Sequence, residues 1–209
     1  MVIRLNLQSF VAGLIDSLNQ FTYQLFKLEV WQRVFEKTDE QTKIDILWGT
    51  VSPLAQSLVG MPWNYRKKLL YCSIVLLNDA KEMTSGPMGA INEASFGYKT
   101  LQNHAMFEEL TLDKSSLLSS ISAINTGKIA EYRNELNHRI PPNIEFGHSV
   151  LAVRSPTGRS YGMSGRPPFT LDKALPLLIS EQARMKDAFI AFWDFAQSLM
   201  QELRVRENA

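Results

Sequence analysis

The chain has 209 residues, with 22 Lys and Arg against 21 Asp and Glu; a net charge of +1 gives no bulk attraction to nucleic acid or anionic lipid, so any basic site must be local. The length suits one domain over 1–209, with room for a sizeable insertion, and 45% hydrophobic residues suffice for a packed core without covalent staples. A single cysteine, Cys72, excludes an internal disulfide framework and any cysteine-cluster zinc site, and three histidines (His104, His138, His148) leave little for a metal. No metal and no cofactor are expected, and the single thiol points to a reducing, cytoplasmic environment.

The opening Met1-Val-Ile-Arg-Leu-Asn-Leu-Gln is broken by polar residues before a signal-peptide core could form, and apolar runs such as Leu69 to Leu77 stop well short of the 18 or so residues that a membrane span needs. No membrane partner is expected. From Leu5 to Phe35 the positions Leu7, Phe10, Leu14, Leu18, Phe21, Leu25 and Leu28 advance by threes and fours, which predicts a long first helix. Asp39 then precedes a second helix over 41–58 that Pro53 kinks and Gly60 ends. Pro62 reads as the first-turn proline of a third helix over 63–83.

Gly86, Pro87, Gly89 and Gly97 make about 85–100 an irregular connection, and 101–110 suits a short helix. Asp113 or Ser115 caps a further helix carrying Leu117, Leu118, Ile121, Ile124, Ile129 and Tyr132, interrupted at Thr126-Gly127 and stopped by Arg139 ahead of Pro141-Pro142. Residues 141–169 hold five of the nine prolines and four of the eleven glycines. Val150 to Val153 and Ser155-Pro-Thr-Gly158 allow a small β-hairpin in what reads as a functional insertion. A last helix runs from about Leu171 or Ala174 to Arg206, with Pro176 in its first turns. The expected fold class is all-α: an antiparallel bundle of four to five long helices with a Pro/Gly-rich insertion.

No phosphate-binding glycine loop, dinucleotide fingerprint, His-Glu-x-x-His pair or nucleophile elbow is present, which removes the commonest motif-bearing enzyme classes. Glu108-Glu109 and Asp39-Glu40 fall at element ends, where capping and solvation account for them. His104 reads as a structural histidine, Cys72 as a buried inert thiol, and Trp31, Trp48, Trp63 and Trp193 as core or interface residues at helical spacing.

The exception is Tyr132-Arg133-Asn134-Glu135-Leu136-Asn137-His138-Arg139. Asn134 and His138 lie four apart on one helix face and Arg133 one step round from them. An imidazole that exchanges a proton near neutral pH and a guanidinium that holds a phosphate by two parallel hydrogen bonds suit attack of an RNA 2′-hydroxyl on its own phosphate. His138 would be base or acid, Arg133 the stabiliser of phosphorane charge, and Asn134 an orienting group. The same cations at a helix C-terminus would also simply offset its dipole.

Arg133 followed by Asn134, with His138 after four intervening residues, resembles the signature of the HEPN superfamily. The resemblance implies a helical bundle, commonly dimeric, and a metal-independent endoribonuclease acting as a toxin or defence effector, with RNA or a nucleotide as ligand and an antitoxin or nucleotidyltransferase as partner. The alternative it leaves open is a non-catalytic nucleotide- or protein-binding module. Some members paired with nucleotidyltransferase antitoxins carry a tyrosine two positions after the histidine; this chain departs from them with Ile140. One histidine per motif favours a homodimer that brings two sets together. Arg139, His148, Arg154, Arg159 and Arg166, interleaved with Phe146, Tyr161 and Phe169, make a candidate rim for gripping RNA.

Overall fold

The computed structural model describes residues 2–86, 96–110, 112–138, 144–145 and 169–207. They are all-α apart from one two-residue strand pair. Eight α-helices follow in chain order: α1 Val2–Glu36, α2 Glu40–Ile46, α3 Ser52–Ser85, α4 Tyr98–Gln102, α5 Met106–Glu109, α6 Ser115–Ala123, α7 Gly127–His138 and α8 Leu171–Glu207. Strands β1 Ile144–Glu145 and β2 Phe169–Thr170 pair in parallel, Ile144 against Phe169. The hairpin expected at 150–158 lies outside the described residues, as do 87–95 of the expected irregular connection.

The predicted break at Gly60 does not occur. α3 passes through both Gly60 and Pro62, so the end of the second expected helix and the whole of the third are one element of 34 residues, while 41–51 falls in α2 and the turn that follows it. Ala55, Leu58 and Val59 are buried, and so are Pro62, Tyr65 and Leu69 on the continuing face. Burying a leucine-sized side chain is worth roughly 1.5–3 kcal/mol, so several on one stripe outweigh the roughly 3 kcal/mol that an interior proline costs. Pro53 acts differently. It has no N–H for the carbonyl of Gly49, and its ring crowds that carbonyl. The helical path from α2 widens into a π-helical turn over Leu47–Val51 just before it, with helical backbone at both flanks, Ile46 and Ser52.

At two other starts an aspartate oxygen meets a free backbone N–H. Asp39 Oδ1 accepts the Thr42 N–H at 3.0 Å ahead of α2, and Asp113 Oδ1 accepts the Ser115 N–H at 2.8 Å ahead of α6. Hydrogen bonds to the ionised form hold both carboxyls below their ordinary range, from the Thr42 backbone first at Asp39 and from the Ser115 side chain and then its backbone at Asp113. Between α6 and α7, Asn125 (φ 57°) and Gly127 (φ 61°) adopt left-handed backbone, the conformation that Asn and Gly accept most readily.

The chain gathers into two units built from interleaved segments. Unit 1 holds 1–20, 62–125 and 183–209. In it, the start of α1 runs antiparallel to the second half of α3: Asn6 Nδ2 donates to Asp79 Oδ2 at 2.7 Å, and Lys68 Nζ donates to Ser17 Oγ at 2.7 Å. Leu14 of α1 and Leu69, Ile74 and Leu77 of α3 are buried in this unit. Phe107 of α5 stacks at a tilt on Phe195 of α8, 5.7 Å between centroids, and Arg206 donates to the carbonyl of Glu109. Unit 2 holds 21–61 and 126–182. Its core takes Phe21, Leu25 and Leu28 from α1, Val51 and Leu58 from the π turn and α3, Ile129 and Tyr132 from α7, and Leu171 and Leu178 from α8. Ser57 Oγ donates to Gln24 Oε1 at 3.2 Å and Gln182 Nε2 to Thr22 Oγ1 at 2.8 Å.

Candidate functional site

Helix α7 carries the Arg-Asn-x-x-x-His motif, and its orientation follows from its apolar side. Ile129 and Tyr132 are buried, which turns the opposite face outward. Arg133 sits at the border, half-buried, and Asn134 is exposed. The Arg133 guanidinium donates from Nη1 to the Asn134 carboxamide oxygen at 3.2 Å. That bond turns the amide oxygen toward the guanidinium and leaves the Nδ2 amide N–H groups as the end that can donate to an anion. The helix continues to His138, so the four-residue step from Asn134 to His138 is one α-helical turn. Arg139, His148, Arg154, Arg159 and Arg166 lie outside the described residues, as does Ile140.

His104 is held by two bonds. The Met106 backbone N–H donates to Nδ1 at 3.3 Å, and Nε2 lies 3.1 Å from the Asn78 Oδ1 of α3. An Nδ1 that accepts leaves Nε2 as the N–H donor, so the ring is neutral. Burial first, and then the Lys81 charge, push its pKa below the ordinary imidazole value, against an opposing pull from Glu109. His104 therefore fastens the α4–α5 corner to α3, the structural role its sequence context suggests. Cys72 is buried, and loss of hydration pushes its thiol up to about 12, partly offset by Lys68. Among the described residues, no group of three or more His, Cys, Asp or Glu side chains gathers as metal ligands would, and no helix is long and apolar enough to cross a membrane.

Three of the tryptophans reach the surface. Trp193 is 38% exposed, and Trp31 and Trp63 are only partly covered. Trp63 stands beside two cations of its own helix, with the Arg66 guanidinium carbon 6.0 Å and Lys67 Nζ 5.4 Å from its ring. The sequence does carry a signal for this: 46–78 has no acidic residue, and Arg66-Lys67-Lys68 is the chain's one run of three cations.

Comparison of the chain with protein-family models, with curated proteins and with solved structures found no match.

Proposed function

We propose that the chain is a HEPN-like helical bundle that cleaves RNA without a metal, in the manner of a toxin or defence effector. The observation that supports this best is the hydrogen-bonded Arg133–Asn134 pair at the outward edge of α7, one helical turn before His138. In the proposed reaction, a histidine takes the proton of a ribose 2′-hydroxyl as its oxygen bonds to the neighbouring phosphorus. The bond from phosphorus to the 5′-oxygen then breaks, and that oxygen is protonated by an acid. The products are a 2′,3′-cyclic phosphate and a 5′-hydroxyl. Arg133 stabilises the added phosphorane charge, and Asn134 orients a phosphate oxygen through its amide N–H. Base and acid come from His138 of two copies in a homodimer.

Purified protein incubated with mixed RNA in excess chelator tests the proposal. The expected result is cleavage that leaves cyclic phosphate and 5′-hydroxyl ends and disappears in His138→Ala. If neither activity nor an effect of His138→Ala is found at micromolar protein, a non-catalytic binding module replaces it.

A further inference from the structure

One outward strip of unit 1 alternates aromatic and cationic side chains. On α3, Trp63, Lys67 and Tyr71 follow at i, i+4 and i+8, so they stand above one another along about 12 Å of a single face. Lys67 is exposed, Tyr71 is 37% exposed, and Trp63 is partly so. The strip thus alternates aromatic, cation, aromatic. Arg66 and Lys68 flank it, each anchored by a hydrogen bond: Arg66 Nη1 to the Ile124 carbonyl at 3.4 Å, and Lys68 Nζ to Ser17 Oγ at 2.7 Å.

Both anchoring groups are neutral, and a carbonyl and a hydroxyl orient a cation without cancelling its charge. Tyr71 is braced as well, edge-on to Phe10 at 6.3 Å and tilted against Phe96 at 5.7 Å. The first acidic residue after the strip, Asp79, accepts from Asn6. Three cations and two ordered aromatic rings therefore share a surface to which the stretch 46–78 contributes no carboxylate. Fixed cations that track a phosphate backbone, with rings on which bases stack, are the two elements of single-stranded nucleic-acid binding.

We propose that the Trp63–Lys67–Tyr71 face of α3, with Arg66 and Lys68 at its sides, binds single-stranded nucleic acid. The inference shares with the proposed function only the class of ligand. It requires neither turnover nor the α7 motif.

The test is fluorescence anisotropy of a fluorescein-labelled twelve-nucleotide oligo-U, and of its oligo-dT counterpart, titrated with the full chain at several salt concentrations. Wild-type protein should bind and should lose affinity as salt rises. Lys67→Ala with Lys68→Ala should reduce the log–log salt slope by about 1.4, from about 0.7 per lost contact on a single strand. Trp63→Leu should weaken binding about tenfold through lost stacking, with little change in that slope. Circular dichroism and the urea midpoint establish that each variant is folded, and the exposed-lysine double variant keeps the test open if Trp63→Leu unfolds.

Tighter binding of oligo-U than oligo-dT would assign the ligand to RNA, and equal binding to either backbone. No binding of either oligonucleotide, or unchanged affinity and slope in both variants, overturns the inference and leaves the strip a solvated helix face. If the oligonucleotides bind through this strip while His138→Ala changes nothing in RNA, the inference stands and the proposed function falls. Cleavage that depends on His138 and is untouched by the strip variants is the reverse result.

Discussion

His104→Leu isolates one polar fastening in unit 1 and makes a signed prediction about pH. Leucine keeps most of the imidazole's bulk but neither nitrogen. The oxygen of buried Asn78 loses its partner, and so does the Met106 N–H in the first turn of α5. An orphaned buried acceptor costs about 1–3 kcal/mol and the second bond about 1 kcal/mol, so a total loss of about 2–4 kcal/mol is expected at pH 7.5. Followed by circular dichroism, that loss lowers the urea midpoint by about 1–2 M for a slope near 2 kcal/mol/M.

The pH dependence runs in one direction. The folded state holds the His104 pKa below its unfolded value of about 6.5, so the unfolded chain takes up the proton first as pH falls. The bonds' contribution is complete above about pH 6.5 and is lost progressively below it. Wild-type stability should therefore drop more steeply between pH 7 and pH 5 than that of His104→Leu. Equal pH dependence in the two proteins, or a loss under about 0.5 kcal/mol at pH 7.5, would refute the assignment of a neutral, doubly bonded ring.

Pro62→Ala should stabilise the chain by about 1 kcal/mol: removing an interior helix proline returns about 3 kcal/mol, and the two lost methylenes of a buried ring take back about 1.6, as a urea titration would report. Cys72 should react with a thiol-specific disulfide reagent on the order of a hundredfold more slowly in the native protein at pH 8 than in denaturant, since its thiol is both buried and pushed up to about 12. Mixing a His138→Ala chain with an Arg133→Ala chain should recover part of the RNA cleavage that each lacks alone, and no recovery would place a complete site in one chain. Replacing Arg154, Arg159 and Arg166 together by Ala should lower the salt slope of RNA binding by about 2 while the helices remain folded, and an unchanged slope would remove 141–169 from the RNA-gripping surface.

The helices were legible wherever burial and period agree. Leu14, Phe21, Leu25 and Leu28 are buried as their spacing predicts for α1, and Leu117, Leu118 and Ile121 do the same for α6. Asp39 caps α2, whereas Asp113 accepts the Ser115 N–H from one residue before Lys114, which stands at the N-cap of α6. The misreading at Gly60 and Pro62 has a definite cause: a breaker rule weighs one residue and its neighbours, whereas Ala55, Leu58, Val59, Tyr65 and Leu69 hold the helix together through contacts that a local window does not contain. The Arg133–Asn134–His138 spacing was visible as a motif, but the guanidinium-to-carboxamide bond is a rotamer choice that no spacing specifies. For Trp63, helical period leaves core and interface equally open. Its i+3 and i+4 neighbours are cations, which turns the ring toward solvent rather than away from it.

The π-helical turn at Leu47–Val51 has a consequence for how this chain tolerates changes of length. A π turn is an α-helix holding one surplus residue, so deleting one residue there returns the segment to ordinary α winding and leaves the face that α3 presents unchanged. Pro53 sets the condition: with its ring still pressing on the carbonyl four residues earlier, the shortened turn is strained, so the deletion is tolerated only alongside Pro53→Ala. The same deletion at Asn64 has no surplus to absorb it. Every later residue of α3 would turn by about 100°, carrying Leu69, Ile74 and Leu77 out of their buried positions.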